Sequence, residues 1–126
     1  MQTLLATLFF LALLVQTASA PGRVVNLVLP RSLNEGEGVA VELTLGVLDR
    51  GAEIVVETRS GKLLGVISPY GIRSGDEAGT YTMRVPTEEI SNNRISLRIT
   101  LQSRGKRAPT TQELRSVKLV ITSPAR

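Results

Sequence analysis

Few side chains in this chain can do chemistry, and the missing types decide as much as those present. Its 126 residues include no histidine and no cysteine. That removes Ser-His-Asp and Cys-His catalysis, the usual zinc sites, haem ligation and iron–sulfur clusters. A Ser-Lys pair or two carboxylates remain. Ser60 and Lys62 flank Gly61, but that spacing is turn chemistry, and a solvated lysine has no reason to lose its proton. Glu88 and Glu89 are neighbours in sequence and suit the first turn of a short helix better than opposite walls of a cleft. Asp76 and Glu77 offer oxygens to calcium, without the Asp-x-Asp-x-Asp spacing of a calcium loop. "NEGEG" (34–38) precedes a strand rather than a helix, so it is a turn and not a phosphate cradle. Tyr70, in "SPYGI", is the single candidate for an aromatic sugar platform, and it reads as a loop residue closing over one end of the core. No catalytic residue, cofactor or metal is expected.

What rises above this background is positive charge. Residues 21–93 carry 7 basic and 10 acidic side chains, whereas residues 94–126 carry 8 basic side chains against Glu113 alone. Twelve of the fifteen basic residues are arginine, a side chain whose planar fork suits carboxylate or phosphate. "RGKRAP" (104–109) is a loop tip presenting Arg104, Lys106 and Arg107, and Lys118 points outward from the last strand. These four form the expected anion-binding set. Arg94 and Arg98 point outward too, and face Glu53 and Glu57 if the third, sixth and seventh strands share a sheet. Nucleic acid is not expected, because no aromatic ring is interleaved with the charges for bases to stack on. The partner this chemistry fits is an acidic protein surface or an anionic envelope polymer.

The elements that must position these residues are strands. Apolar residues recur with period two nearly throughout, the pattern of half-buried β-structure. "RVVNLVL" buries Val25, Leu27 and Leu29; "VAVELTLGV" buries Val39, Val41, Leu43, Leu45 and Val47; "AEIVVET" buries Ile54 and Val56. "KLLGVIS" follows through a Ser60-Gly61 hairpin turn. "TYTMRV", "RISLRITL" and "SVKLVIT" complete the set. "PTEEI" (86–90) and "TTQE" (110–113) read as single helical turns, the second with Thr-x-x-Glu capping-box spacing. Seven short strands with glycine- and proline-marked turns predict an all-β fold, a seven-stranded antiparallel β-sandwich or a barrel, in one domain over residues 21–126. With no tryptophan and only two tyrosines after residue 20, its core must be aliphatic.

"EAGTYTM" (77–83) resembles the Asp-x-Gly-x-Tyr-x-Cys stretch of immunoglobulin domains, with Gly79 and Tyr81 on the glycine and tyrosine. Glu77 stands where that family has Asp, Met83 where it has Cys, and Tyr81 falls in the fifth strand rather than the sixth. Without cysteine, the chain is more similar to fibronectin type III or bacterial immunoglobulin-like domains. The resemblance implies an immunoglobulin-like sandwich in which Tyr81 forms a structural tyrosine corner, its hydroxyl bonded back to the chain. Those superfamilies serve adhesion, spacing, assembly and ligand binding, so the fold alone fixes no activity.

The chain opens with an apolar run from Leu4 to Val15 ending in Ala18-Ser19-Ala20, the anatomy of a signal peptide over residues 1–20. Pro21 beside the cut leaves cleavage one residue earlier, or an uncleaved membrane anchor, as alternatives. Export to a periplasm or the cell exterior follows, and a cysteine-free exported domain fits a bacterial envelope. The expected function is a non-enzymatic binding or assembly module of the cell envelope. The competing expectation is a small exported enzyme or inhibitor working through loops at one end of the sandwich.

Overall fold

Alternation of apolar and polar side chains is realised as eight strands in a computed structural model that describes residues 21–69, 73 and 75–123. The expected leader and Tyr70 lie outside the described residues. The strands are β1 (Arg23–Val28), β2 (Gly38–Val47), β3 (Glu53–Thr58), β4 (Leu63–Ile67), β5 (Glu77–Val85), β6 (Arg94–Gln102), β7 (Lys106–Arg107) and β8 (Leu114–Thr122). One sheet has the order β1-β6-β3-β4 with β7 also on β6; the other has the order β5-β2-β8. Every pairing is antiparallel. The fold is all-β. "PTEEI" supplies a 3-10 turn at Thr87–Glu89 with Glu88 and Glu89 in its first turn.

Val39, Val41, Leu43 and Leu45 of β2 and Ile54, Val56, Leu97, Ile99 and Leu101 of β3 and β6 form one buried cluster from both sheets. Each has at most 1% of its surface exposed. The other predicted inward residues are buried or, like Val25, Leu27, Val117 and Ile121, partly buried against this cluster, except Val47, which is 44% exposed. It is the last residue of β2, opposite Glu77 at the start of β5, where the sheet has run past the core.

Two expectations are corrected here. The strand count is eight, because Lys106 and Arg107 add a two-residue strand with no apolar residue to announce it. The last strand also does not join the third and sixth: β3 pairs with β6, but β8 pairs with β2. β6 has no free edge to offer. β3 lies along one side of it, while β1 covers Arg94 to Ile99 and β7 covers Leu101 and Gln102 on the other. Pro109, which lacks a backbone donor, then ends that ladder, and the chain crosses to the second sheet through residues 110–113.

That crossover is a built turn. The Glu113 N–H donates to Thr110 Oγ1 (3.1 Å) while the Glu113 carboxylate accepts from the Thr110 N–H (2.9 Å), the reciprocal bonds of a capping box. The turn lies so close to β2 that a Cβ on Gly46 would sit 2.0 Å from Gln112 O. Glycine is required there, and the Gly46 N–H donates to Glu113 O at 3.0 Å.

Candidate functional site

The antiparallel register of β3 and β6 builds the basic site. Glu53 opposite Gln102 is the last rung at one end, so residues 48–52, entering β3, lie beside residues 103–105, leaving β6. Between them is an open groove of about 720 Å³, lined among others by Asp49, Arg50, Ser103, Arg104, Lys106 and Arg107. The Ser103 N–H donates to Gly105 O (3.0 Å) and closes the tip, from which β7 turns back along β6. Among the described residues Arg50, Arg104 and Lys106 make no ion pair. Three unpaired cations thus share the groove with one carboxylate, Asp49.

The four expected anion-binding residues divide. Arg104 and Lys106 line the groove. Arg107 lines it as well, but its guanidinium is bound on two nitrogens by the Glu113 carboxylate, at 2.7 and 2.9 Å. Lys118 is brought elsewhere: it lies on β8 in the other sheet, opposite Glu42, with Nζ 3.4 Å from that carboxylate. The assignment of β8 beside β6 had put it near the tip. Arg50 is the cation that sequence reasoning missed, although pairing the third and sixth strands antiparallel, as expected, already sets the 48–52 loop beside the 103–105 tip.

The strand arginines are not neutralised as expected. Glu57 lies opposite Arg98, yet no nitrogen–oxygen pair between them comes within 4 Å. Glu53 faces Gln102 and accepts a hydrogen bond from Ser68. Arg94 lies beyond the end of β3, opposite Val28 of β1.

Two carboxylates have strongly shifted pKa values, and both sit in the loops that carry the chain between sheets. Bidentate contact with Arg31 (2.7 Å on each arm), followed by the Asn34 N–H (2.6 Å), holds Glu37 at about 2. The Arg107 fork, with the Thr110 N–H, holds Glu113 at about 2. Each clamp reads Arg-x5-Glu, with Asn or Thr three residues before the Glu, and each immediately precedes a strand of the second sheet. These shifts come from structural clamps, not from two carboxylates sharing a cleft.

The other chemical candidates resolve into local structure. Ser60 Oγ pairs with Thr58 Oγ1 (2.8 Å) inside the hairpin, whereas Lys62 Nζ lies 3.4 Å from Glu89 of the Thr87–Glu89 turn. Glu77 pairs with Arg115 at 2.5 Å, and no group of three metal-ligating side chains occurs among the described residues. Tyr81 is half-buried against the core, and its hydroxyl donates to Ala78 O at 2.8 Å. The hydroxyl thus bonds back to the chain, and the ring stays half-buried on β5, an edge strand.

No family model, curated protein or solved structure matches the chain.

Proposed function

We propose that this protein is an exported, non-enzymatic binding module of the cell envelope that holds an anionic partner in the groove between the 48–52 and 103–107 loops. The observation that carries this reading is the convergence of Arg50, Arg104 and Lys106, from two loops, without ion-pair partners among the described residues. Guanidinium forks and an ammonium over an open groove bind carboxylate or phosphate groups without demanding one ligand shape. An extended acidic segment or an anionic polymer fits such a surface better than an enclosed small molecule. The immunoglobulin-like reading belongs here also: the 2–5 and 3–6 pairings of that sandwich are kept, while the first, fourth and last strands lie in exchanged sheets.

Charge reversal tests the site. R50E/R104E/K106E should abolish salt-sensitive retention on an anionic resin and leave Tm nearly unchanged, since none of the three is in an ion pair. K118E should leave retention intact. Retention that survives the triple reversal, or wild type never retained at physiological salt, would remove the groove from the account.

A further inference from the structure

The outward faces of the two sheets differ in kind. That of the three-stranded sheet is polar, with Thr44, Thr80, Thr82, Arg84, Glu42 and Lys118 side by side. That of the five-stranded sheet carries Val24, Val28, Leu63 and Val66, four of the five exposed large hydrophobic residues among those described, with Val28 60% and Leu63 57% exposed. A solvated antiparallel face is ordinarily polar, and clustered exposed apolar side chains mark contact surfaces.

The cross-strand order of this face identifies what covers it. One row reads Leu63, Glu57, Arg98, Val24 across β4, β3, β6 and β1. The next reads Val66, Val55, Thr100. A two-fold axis lying in an interface, parallel to the strands and passing between β3 and β6, reverses each row on the facing molecule. Leu63 then meets Val24 and Glu57 meets Arg98, and each contact occurs twice, as a symmetric dimer requires; Thr100, only 6% exposed beneath Gly22, adds no contact. Glu57 and Arg98 are suited to this because neither makes an ion pair among the described residues, and the Arg98 Nε–H is shielded from solvent without an acceptor among them. Swinging outward to a carboxylate on a facing molecule satisfies it.

We propose that the occupant of the outer face of the five-stranded sheet is a second copy of this chain, packed sheet on sheet in a two-fold dimer with reciprocal Glu57–Arg98 pairs. The face spans roughly 350 Å² in plan from strand spacing, short of the roughly 800 Å² per partner of a standard interface, so the dimer is reversible and concentration-dependent. The basic groove lies at the end of the sandwich and stays open in this dimer.

Sedimentation velocity over a concentration series tests it. Wild type should shift from monomer to dimer, whereas E57R and R98E alone should each remain monomeric. Mixed in equal amounts, those two variants should dimerise. In the mixed dimer the introduced arginine of one molecule faces the introduced glutamate of the other, and the native Arg98 and Glu57 that remain face each other. L63K, at an exposed edge position with no hydrogen bond to lose, should abolish the dimer at unchanged Tm, and it answers for any charge variant that fails to fold. Wild type that stays monomeric throughout, including because another protein is the true occupant, overturns the proposal. So does a dimer that survives L63K, or failure of two folded charge variants to associate when mixed.

Discussion

At the scale of single residues, the informative groups are those whose hydrogen bonds cross from one segment to another. Tyr81 closes a three-residue loop of backbone through Ala78 O, next to Gly79, whose φ of 102° is reached without strain by glycine. Tyr81→Phe removes that bond and keeps the ring, so unfolding should cost about 1 kcal/mol less in a urea titration. An unchanged midpoint would show that the hydroxyl contributes nothing. The arginine clamps set the acid response. Glu37 and Glu113 are held at about 2, below the ordinary 4.5. A carboxylate lowered by folding contributes stability that is complete above its unfolded pKa and is lost as pH falls towards the folded one. Tm should therefore fall between about pH 4.5 and pH 2, and E37Q/E113Q should start lower at pH 7 and fall less. Parallel curves for wild type and variant across that window would contradict the clamps. Of these contacts only the Thr110–Glu113 capping box was read from the sequence; the two Arg-x5-Glu spacings were missed, although the reach of each fork is local in sequence.

At the scale of elements, alternation of side chains located the strands and the inward face of each, because period two assigns a residue to a face. It does not choose a neighbour. β8 has the same in-out pattern whether it lies against β6 or β2, and the choice is made by β1, β7 and Pro109, which together close the edge of β6. β7 itself was illegible, being two charged residues held by backbone pairing. Arg50 was legible in principle, through the antiparallel pairing of β3 and β6, and Lys118 was misplaced with its strand. The crossover that carries β8 away depends on Gly46, where a side chain meets Gln112 O of the turn. Gly46→Ala should destabilise by about 1–3 kcal/mol, as overpacking against backbone does, and should do so without altering the salt dependence of binding. A neutral Gly46→Ala would mean that the 110–113 turn does not lie on β2 as described.

At the scale of the whole molecule, the basic excess of the last third divides among three surfaces. Arg107, Arg115 and Lys118 are held by Glu113, Glu77 and Glu42. Arg94 and Arg98 belong to the face of the five-stranded sheet. Arg104 and Lys106, joined by Arg50 from the earlier, acidic part of the chain, are left for a ligand. On the proposed reading, binding rests on a few charges at one end, with the Arg107–Glu113 clamp fixing the C-terminal side of the 103–107 loop. The most direct test is a ¹H–¹⁵N titration of the protein with polyphosphate at physiological salt. Amide shifts should concentrate in residues 48–52 and 103–107, leave Lys118 and its strand unmoved, and reverse on adding salt. Shifts spread over the outer faces of both sheets, or absent from both loops, would contradict the assignment of the groove as the binding site.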